Sequence, residues 1–469
     1  MRRPTFFALL IAMIGALALV AAGCGGGDDE GGGGSTSPSG GGGGDTSAIT
    51  ALPSSSCSPI EYKGSEPADF LLASDFPLQG SSRTQTIQIN AAIRYLLDQN
   101  DWKAGDHTLA FQACDDATAQ AGKWDSGKCS QNANAYAQNE KLIAVIGTFN
   151  SGCAAIEIPV LNQAPGGGLL LLSPANTYGC LTEPCAGDEP EKYYPSGTRN
   201  YARVAPSDPN QGAVDAEFLA SKGVKSVYIL NDKEAYGLGV AKNFQGAAEH
   251  LGIKVLGFAA YDPKQPNFQA TFTKIKGTDP DAVFIGGLVD ENSGQLIDDK
   301  VSVLGPNTDN PDDGVMLMLP DGFTTDAIFD PGEGGTKNAK GAYFSVAGAP
   351  IDQYKGKGKE FADAIKSQID APAVDPYAIL GAQAAEVVLD AIANSDGSRG
   401  QVIQNVFQTK IDNGYIGSFE INENGDVTGA SGAVLTFTIY KGTTHLETET
   451  TAKPKPADTD AARAAAGGE

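Results

Sequence analysis

The 469-residue sequence is short of positive charge: 33 Lys and Arg stand against 57 Asp and Glu, for a net charge of −24. A nucleic-acid surface needs a basic stripe, and this balance excludes one. The same excess of acid argues against attraction to an anionic membrane surface. Histidine is scarce: His107, His250 and His445 are scattered, and there is no Cys-x-x-Cys. No metal site or cofactor is therefore expected. Long apolar runs are missing beyond the first two dozen residues, which excludes a polytopic membrane protein. Gly-x-Ser-x-Gly and His-Glu-x-x-His are absent, so an exported enzyme is not expected. Gly237-Leu-Gly239 lacks the third glycine of a dinucleotide fingerprint, since Lys242 holds that place. Asp309-Asn-Pro-Asp-Asp-Gly314 reads as an acidic surface loop, because Pro311 and Pro320 stand where a calcium loop needs ligands.

The N-terminus carries what the rest lacks. Arg2 and Arg3 precede an apolar run, Phe6 to Val20, followed by Ala21-Ala-Gly-Cys24. A short positive region, an apolar core and small residues before a cleavage point are the marks of an export signal. A Cys after Ala-Ala-Gly resembles the lipobox of bacterial lipoproteins, although Ala21 stands where Leu is usual. The reading is a signal peptide over 1–23, lipidation at Cys24, and a body lipid-anchored outside the cytoplasm, on the outer face of the cell membrane. The alternative is an uncleaved anchor helix. Residues 24–65, rich in Gly and Ser at their start, are expected to be a flexible tether, and residues 448–469 a disordered tail.

In the body, about ten short apolar runs alternate with amphipathic stretches. Phe70–Ala73, Leu109–Phe111 and Leu142–Ile146 read as strands, and the pattern restarts at Ser226–Leu230. Ile89, Ile93, Leu96 and Leu97 mark a helix face. Continuous apolar runs alternating with helices predict α/β folding with parallel sheets buried on both faces. That is too many strands for one comfortable sheet, so two lobes are expected, with the ligand between them. Besides Cys24, the cysteines are Cys57, Cys114, Cys129, Cys153, Cys180 and Cys185. An even number in an exported chain predicts disulfides, and six allow fifteen pairings. The short loop from Cys180 to Cys185 favours that pair.

Four motifs then fall in order. They are Val145-Ile-Gly-Thr-Phe-Asn-Ser-Gly152, Ser173-Pro-Ala-Asn-Thr177, Asn231-Asp-Lys-Glu-Ala-Tyr-Gly237 and Leu319-Pro-Asp-Gly322. Singly each is weak: Ser151 is an ordinary N-cap and Asp321-Gly322 a common turn pair. Jointly, over about Asp69 to Tyr440, they resemble the branched-chain amino-acid (leucine/isoleucine/valine) binding proteins of ABC importers, with the type I periplasmic-binding fold. The resemblance implies two Rossmann-like lobes joined by a three-segment hinge. Lobe 1 is expected over 66–205 and 347–417, and lobe 2 over 206–346 and 418–447. It implies Ser151, Ala175, Thr177, Tyr236 and Asp321 as ligand-binding residues, with Asn150 and Phe149 beside them. The chemistry agrees. A zwitterion's carboxylate suits Ser151 at a helix start and the Thr177 hydroxyl, and its ammonium suits the Ala175 carbonyl and Asp321. The expected partners are an amino acid or amide and a membrane permease; the body is expected to be a monomer.

Departures bear on the ligand. Leu288 follows Gly286-Gly287 where the family carries an aromatic, and Asp321 is one methylene shorter than the family's Glu. Phe76, Gln79, Ser81 and Phe149 are candidates for the side-chain end of the pocket. The family's first disulfide positions are Thr118 and Asn150 here, which points to Cys114 and Cys153 as a replacement bridge. A binder of short amides or urea, or a ligand sensor for a signalling receptor, stays open as an alternative.

Overall fold

The computed structural model describes residues 44–369, 371, 373–429, 434–443 and 445–467. The expected signal peptide and Cys24 lie outside the described residues. Lobe 1 starts with β1 (Phe70–Phe76), α1 (Arg83–Gln99), β2 (Lys103–Ala104), β3 (His107–Asp115), β4 (Ala117–Thr118) and β5 (Lys123–Trp124). It continues with α2 (Ser126–Gln138), β6 (Leu142–Gly147), α3 (Ser151–Asn162), β7 (Leu170–Ser173) and β8 (Tyr201–Arg203). The strands order β2-β3-β1-β6-β7-β8, parallel except for β2. Strand order reverses at β1, so the loops after β1 and β6 open beside each other. That is where an open α/β sheet offers a binding crevice.

Lobe 2 follows with α4 (Asp208–Ser221), β9 (Ser226–Asn231), α5 (Ala235–His250), β10 (Lys254–Ala260), α6 (Gln269–Lys276), β11 (Ala282–Gly286), α7 (Ser293–Leu304), β12 (Met316–Leu319) and β13 (Tyr343–Ala347). The chain returns to lobe 1 with α8 (Lys357–Ile365), α9 (Pro376–Ala393), α10 (Arg399–Val406), β14 (Lys410–Gly414), β15 (Gly417–Ile421) and β16 (Val427–Thr428). It ends in lobe 2 with β17 (Leu435–Ile439), β18 (Glu447–Ala452) and α11 (Pro456–Gly467). The lobe 2 sheet orders β10-β9-β11-β12-β13-β17-β18, and the last two strands run antiparallel. Successive side chains alternate between its two cores: Val227 and Ile229 face one, Tyr228 and Leu230 the other. Helix α9 is apolar and long enough to cross a membrane, the one such helix among the described residues. It is mostly buried and forms the central helix of lobe 1.

Three expectations fail. First, the segment from residue 44 to 65 is not a free tether. Ile49, Leu52, Cys57 and Tyr62 are buried in the lobe 1 core, and Glu61 pairs with Phe111 across an isolated bridge. Four apolar side chains spaced through a polar segment are enough to dock it. Second, residues after 447 are not a disordered tail. β18 pairs with β17, and α11 packs on α4 and α5 with Ala462 fully buried. The helix buries alanines, too small to announce a face, against an α5 surface that is itself small at Gly246. Third, the last crossing between lobes does not fall at 417/418. Phe419, Ile421 and Val427 of β15 and β16 are buried in lobe 1, whereas Leu435 belongs to lobe 2.

Cys180 is bonded to Cys185, but Cys114 and Cys153 do not pair. Cys114 on β3 is bonded to Cys57 of the docked N-terminal segment, and Cys153 on α3 to Cys129 on α2. The N-terminal segment runs alongside β3 and brings Cys57 opposite Cys114. Helices α2 and α3 pack together and bring the other two together.

A Cβ on Gly246 would lie 2.5 Å from the Ala461 carbonyl oxygen. Gly246→Val is therefore expected to lift α11 at a cost of about 1–3 kcal/mol. Thermal unfolding should show a melting temperature lower by a few degrees, and limited proteolysis a new cut beyond Ala452; an unchanged profile would refute the docking of α11.

Candidate functional site

The loops at the carboxyl ends of both sheets meet in one pocket. Lobe 1 contributes Phe149, Asn150, Ser151 and Gly152 after β6, and Ala175 and Thr177 after β7. The apolar strand β6 ends at Gly147, and Asn150 caps α3 in an extended conformation, so the first turn of α3 points into the pocket. Its free N–H ends favour an anion there. The second loop is fixed from inside. The Ser173 hydroxyl accepts from the N–H groups of Ala175 and Asn176 at 3.0 and 2.8 Å and donates to the Thr148 carbonyl at 2.7 Å. The Asn176 amide donates to the Phe149 carbonyl at 2.9 Å, tying the two loops together.

Lobe 2 contributes Glu234 and Tyr236 at the start of α5, Leu288 after β11, and Asp321 and Gly322 after β12. Asp321 is buried and accepts two phenol hydrogen bonds, from Tyr236 at 2.6 Å and from Tyr377 at 2.5 Å. Tyr236 in turn accepts from the Gly322 N–H at 2.9 Å. Burial raises the Asp321 carboxyl above the usual range, opposed by the two phenol donors. Burial and the adjacent Asp321 charge raise both phenols. Tyr377 sits at the start of α9, where the Asp375 carboxylate accepts its N–H at 2.8 Å, and its ring meets Phe149 edge-on at 5.2 Å.

Of the residues singled out from sequence, Phe149, Asn150, Ser151, Ala175, Thr177, Tyr236, Leu288 and Asp321 come together. Gln79 does not. Its amide donates to Asp115 at 2.7 Å, and the same carboxylate accepts the N–H groups of Leu78 and Ala117, so the loop after β1 is pinned to lobe 1. Phe76 is fully buried in the lobe 1 core. Ser81 crosses to lobe 2 instead: its N–H donates to Asp290 at 3.0 Å, and its carbonyl accepts from Thr325 at 2.8 Å. Tyr377, Trp124, Glu234, Gly152 and Gly322 were not foreseen. Trp124 lies on the β4–β5 hairpin, and the neighbouring Lys123 forms ion pairs with Glu234 and Glu291 of lobe 2. These contacts hold the two lobes closed on each other.

Two α/β lobes closing over a small buried pocket define a solute-binding protein. A family model described as periplasmic binding protein matches residues 77–434, most of the chain. The chain belongs to the periplasmic binding protein family, whose matched members are solute-binding proteins and not enzymes. An "amino acid binding protein" of Pseudomonas aeruginosa is 27% identical over 166 residues, 35% of this chain and 40% of that protein. The "Leu/Ile/Val-binding protein BraC3" of Rhizobium johnstonii is 27% identical over 245 residues, 52% of this chain and 59% of that one. These alignments thus span about half the relatives' length. Among solved structures, the leucine-binding protein LivK of Thermotoga maritima superposes with a TM-score of 0.67 at 21% identity, over 83% of this chain and 99% of that one. A Rhodopseudomonas palustris solute-binding protein in complex with benzoate superposes at 0.62 and 16% identity, over 82% and 97%. Both share the type I periplasmic-binding fold seen here.

Behind the pocket, Asp232 accepts the Glu234 N–H at 2.9 Å, and burial pushes its carboxyl up to about 7. A folded-state value above the unfolded 3.8 favours folding while the group is protonated, and that contribution is lost as pH rises through 7. Asp232→Asn is therefore expected to gain stability relative to the wild type between pH 4 and 8. The gain is at most about 4 kcal/mol, at 1.36 kcal/mol per pH unit. Urea unfolding at the two pH values checks this; a pH-independent difference would contradict it.

Proposed function

We propose that this protein captures an α-amino acid, or a similar small zwitterion, in the cleft between its lobes and delivers it to an ABC importer. The observation that carries this reading is the pairing of opposite chemistries in one closed pocket. The start of α3, with Ser151 and Thr177 beside it, suits a carboxylate. Asp321, held by two phenols, and the Ala175 carbonyl suit an ammonium. Contacts from both lobes exist together only when the lobes are closed, so a ligand shifts the protein toward that form. A permease then reads the closed form, and the ligand is released unchanged. Relatives named for binding amino acids, or leucine, isoleucine and valine, support the same ligand class. The pattern Ala21-Ala-Gly-Cys24 after an export signal supports lipid anchoring at Cys24 on the outer face of the membrane.

Asp321→Asn keeps the shape of the side chain and removes its charge. A hydrogen bond to a charged group contributes about 1.5–3 kcal/mol, so amino-acid affinity should fall at least tenfold and up to about a hundredfold. Titration calorimetry on both proteins, with the melting temperature as a check of folding, tests this. Undiminished affinity in the variant would remove Asp321 from the site. Binding of short amides or urea in place of every amino acid would move the reading to that ligand class.

A further inference from the structure

Two carboxyl side chains line the pocket, Asp321 and Glu234, and among its lining residues there is no Lys, Arg or His. A neutral amino acid brings one ammonium, and Asp321 with the Ala175 carbonyl accounts for it. Glu234 is left over. Its nearest cation is Lys123 at 3.5 Å, which makes its closer ion pair with Glu291. The Glu234 side chain is 27% exposed. A ligand that covered Glu234 without supplying a charge would leave a carboxylate whose only ion-pair partner is shared with Glu291, an unfavourable state.

The position of Glu234 says which end of the ligand it meets. Trp124 borders the same region: a Cβ on Gly152 would lie 2.6 Å from its ring, so the indole covers the first turn of α3, and Lys123 beside it reaches Glu234. Asp321, Tyr236 and Tyr377 form a separate cluster. Trp124 and Glu234 thus line the pocket together, an aromatic ring and a carboxylate, the combination that receives an ammonium or a planar guanidinium. The wider cleft adds to it, since Lys123 faces two carboxylates, Glu234 and Glu291.

Resting on the amino-acid reading above, we infer that the ligand is a basic amino acid, with its α-ammonium at Asp321 and its side-chain cation between Trp124 and Glu234. This parts the protein from relatives named for leucine, isoleucine and valine.

The test compares charged ligands with neutral counterparts of matching shape, on the full chain, by titration calorimetry. The pairs are L-arginine with L-citrulline and L-lysine with L-norleucine. The expected result is that each basic amino acid binds at least tenfold more tightly than its counterpart. In Glu234→Gln, the arginine-to-citrulline affinity ratio should fall toward one. Equal or tighter binding of citrulline, norleucine or leucine in the wild type would overturn the inference and leave amino-acid capture standing. An unchanged ratio in a folded Glu234→Gln would also overturn it. Should the variant not fold, the wild-type ratios decide alone. Failure of every amino acid to bind would overturn both readings.

Discussion

The Asp321 carboxyl lies buried between two phenols, Tyr236 from its own lobe and Tyr377 from the other. A carboxylate removed from water is costly unless donors replace the lost solvent. Here the second donor arrives only when lobe 1 closes on lobe 2. The arrangement makes closure and a polarised pocket the same event. Much of the surrounding structure serves it. The Asp375 cap sets Tyr377 at the head of α9, Tyr236 is steadied by the Gly322 N–H, and Ser173 and Asn176 brace the facing loops of lobe 1.

Closure is reinforced away from the pocket by contacts of a different kind. Ser81 and Lys123 reach from lobe 1 to Asp290, Glu234 and Glu291. Exposed ion pairs contribute little by themselves, but these are partly buried and flank the cleft. They come from the loop after β1 and from the β4–β5 hairpin, whose Trp124 lines the pocket. An acidic cleft in a strongly acidic chain is also consistent with attracting cationic solutes, because like charges around a crevice focus the field there.

The ends of the chain have structural work. The segment around Cys57 adds apolar cover to β3 and is bonded to it, and the last helix covers α4 and α5. Neither end carries a strong pattern. Their burial depends on surfaces contributed by residues distant in sequence, 57 positions away for Cys57 with Cys114 and 219 for Ala462 with Asn243.

How much of this was legible without coordinates follows from which forces are local. Strands such as β1, β6 and β9 show as continuous apolar runs because both their faces are buried, and that demand is written in every residue. Helix α4 left no comparable trace: it is buried nearly all round and so lacks a polar stripe. Ser151, Thr177, Tyr236 and Asp321 could be named because each sits in a short motif at a strand end. Gln79 was misplaced because Asp115, far along the chain, competes for its amide. Tyr377 and Trp124 carry no motif, and their roles arise from where α9 and the β4–β5 hairpin come to rest; Glu234 lies inside the Asn231–Gly237 motif, but nothing local shows that it reaches the pocket. The linear order of residues determined the two-lobed α/β class, most of the side chains that line the pocket and the disulfide of Cys180 with Cys185. Only the tertiary structure decided the other pairings, the docking of both termini and the second acid of the pocket, since each is a contact between segments whose distance no local pattern encodes.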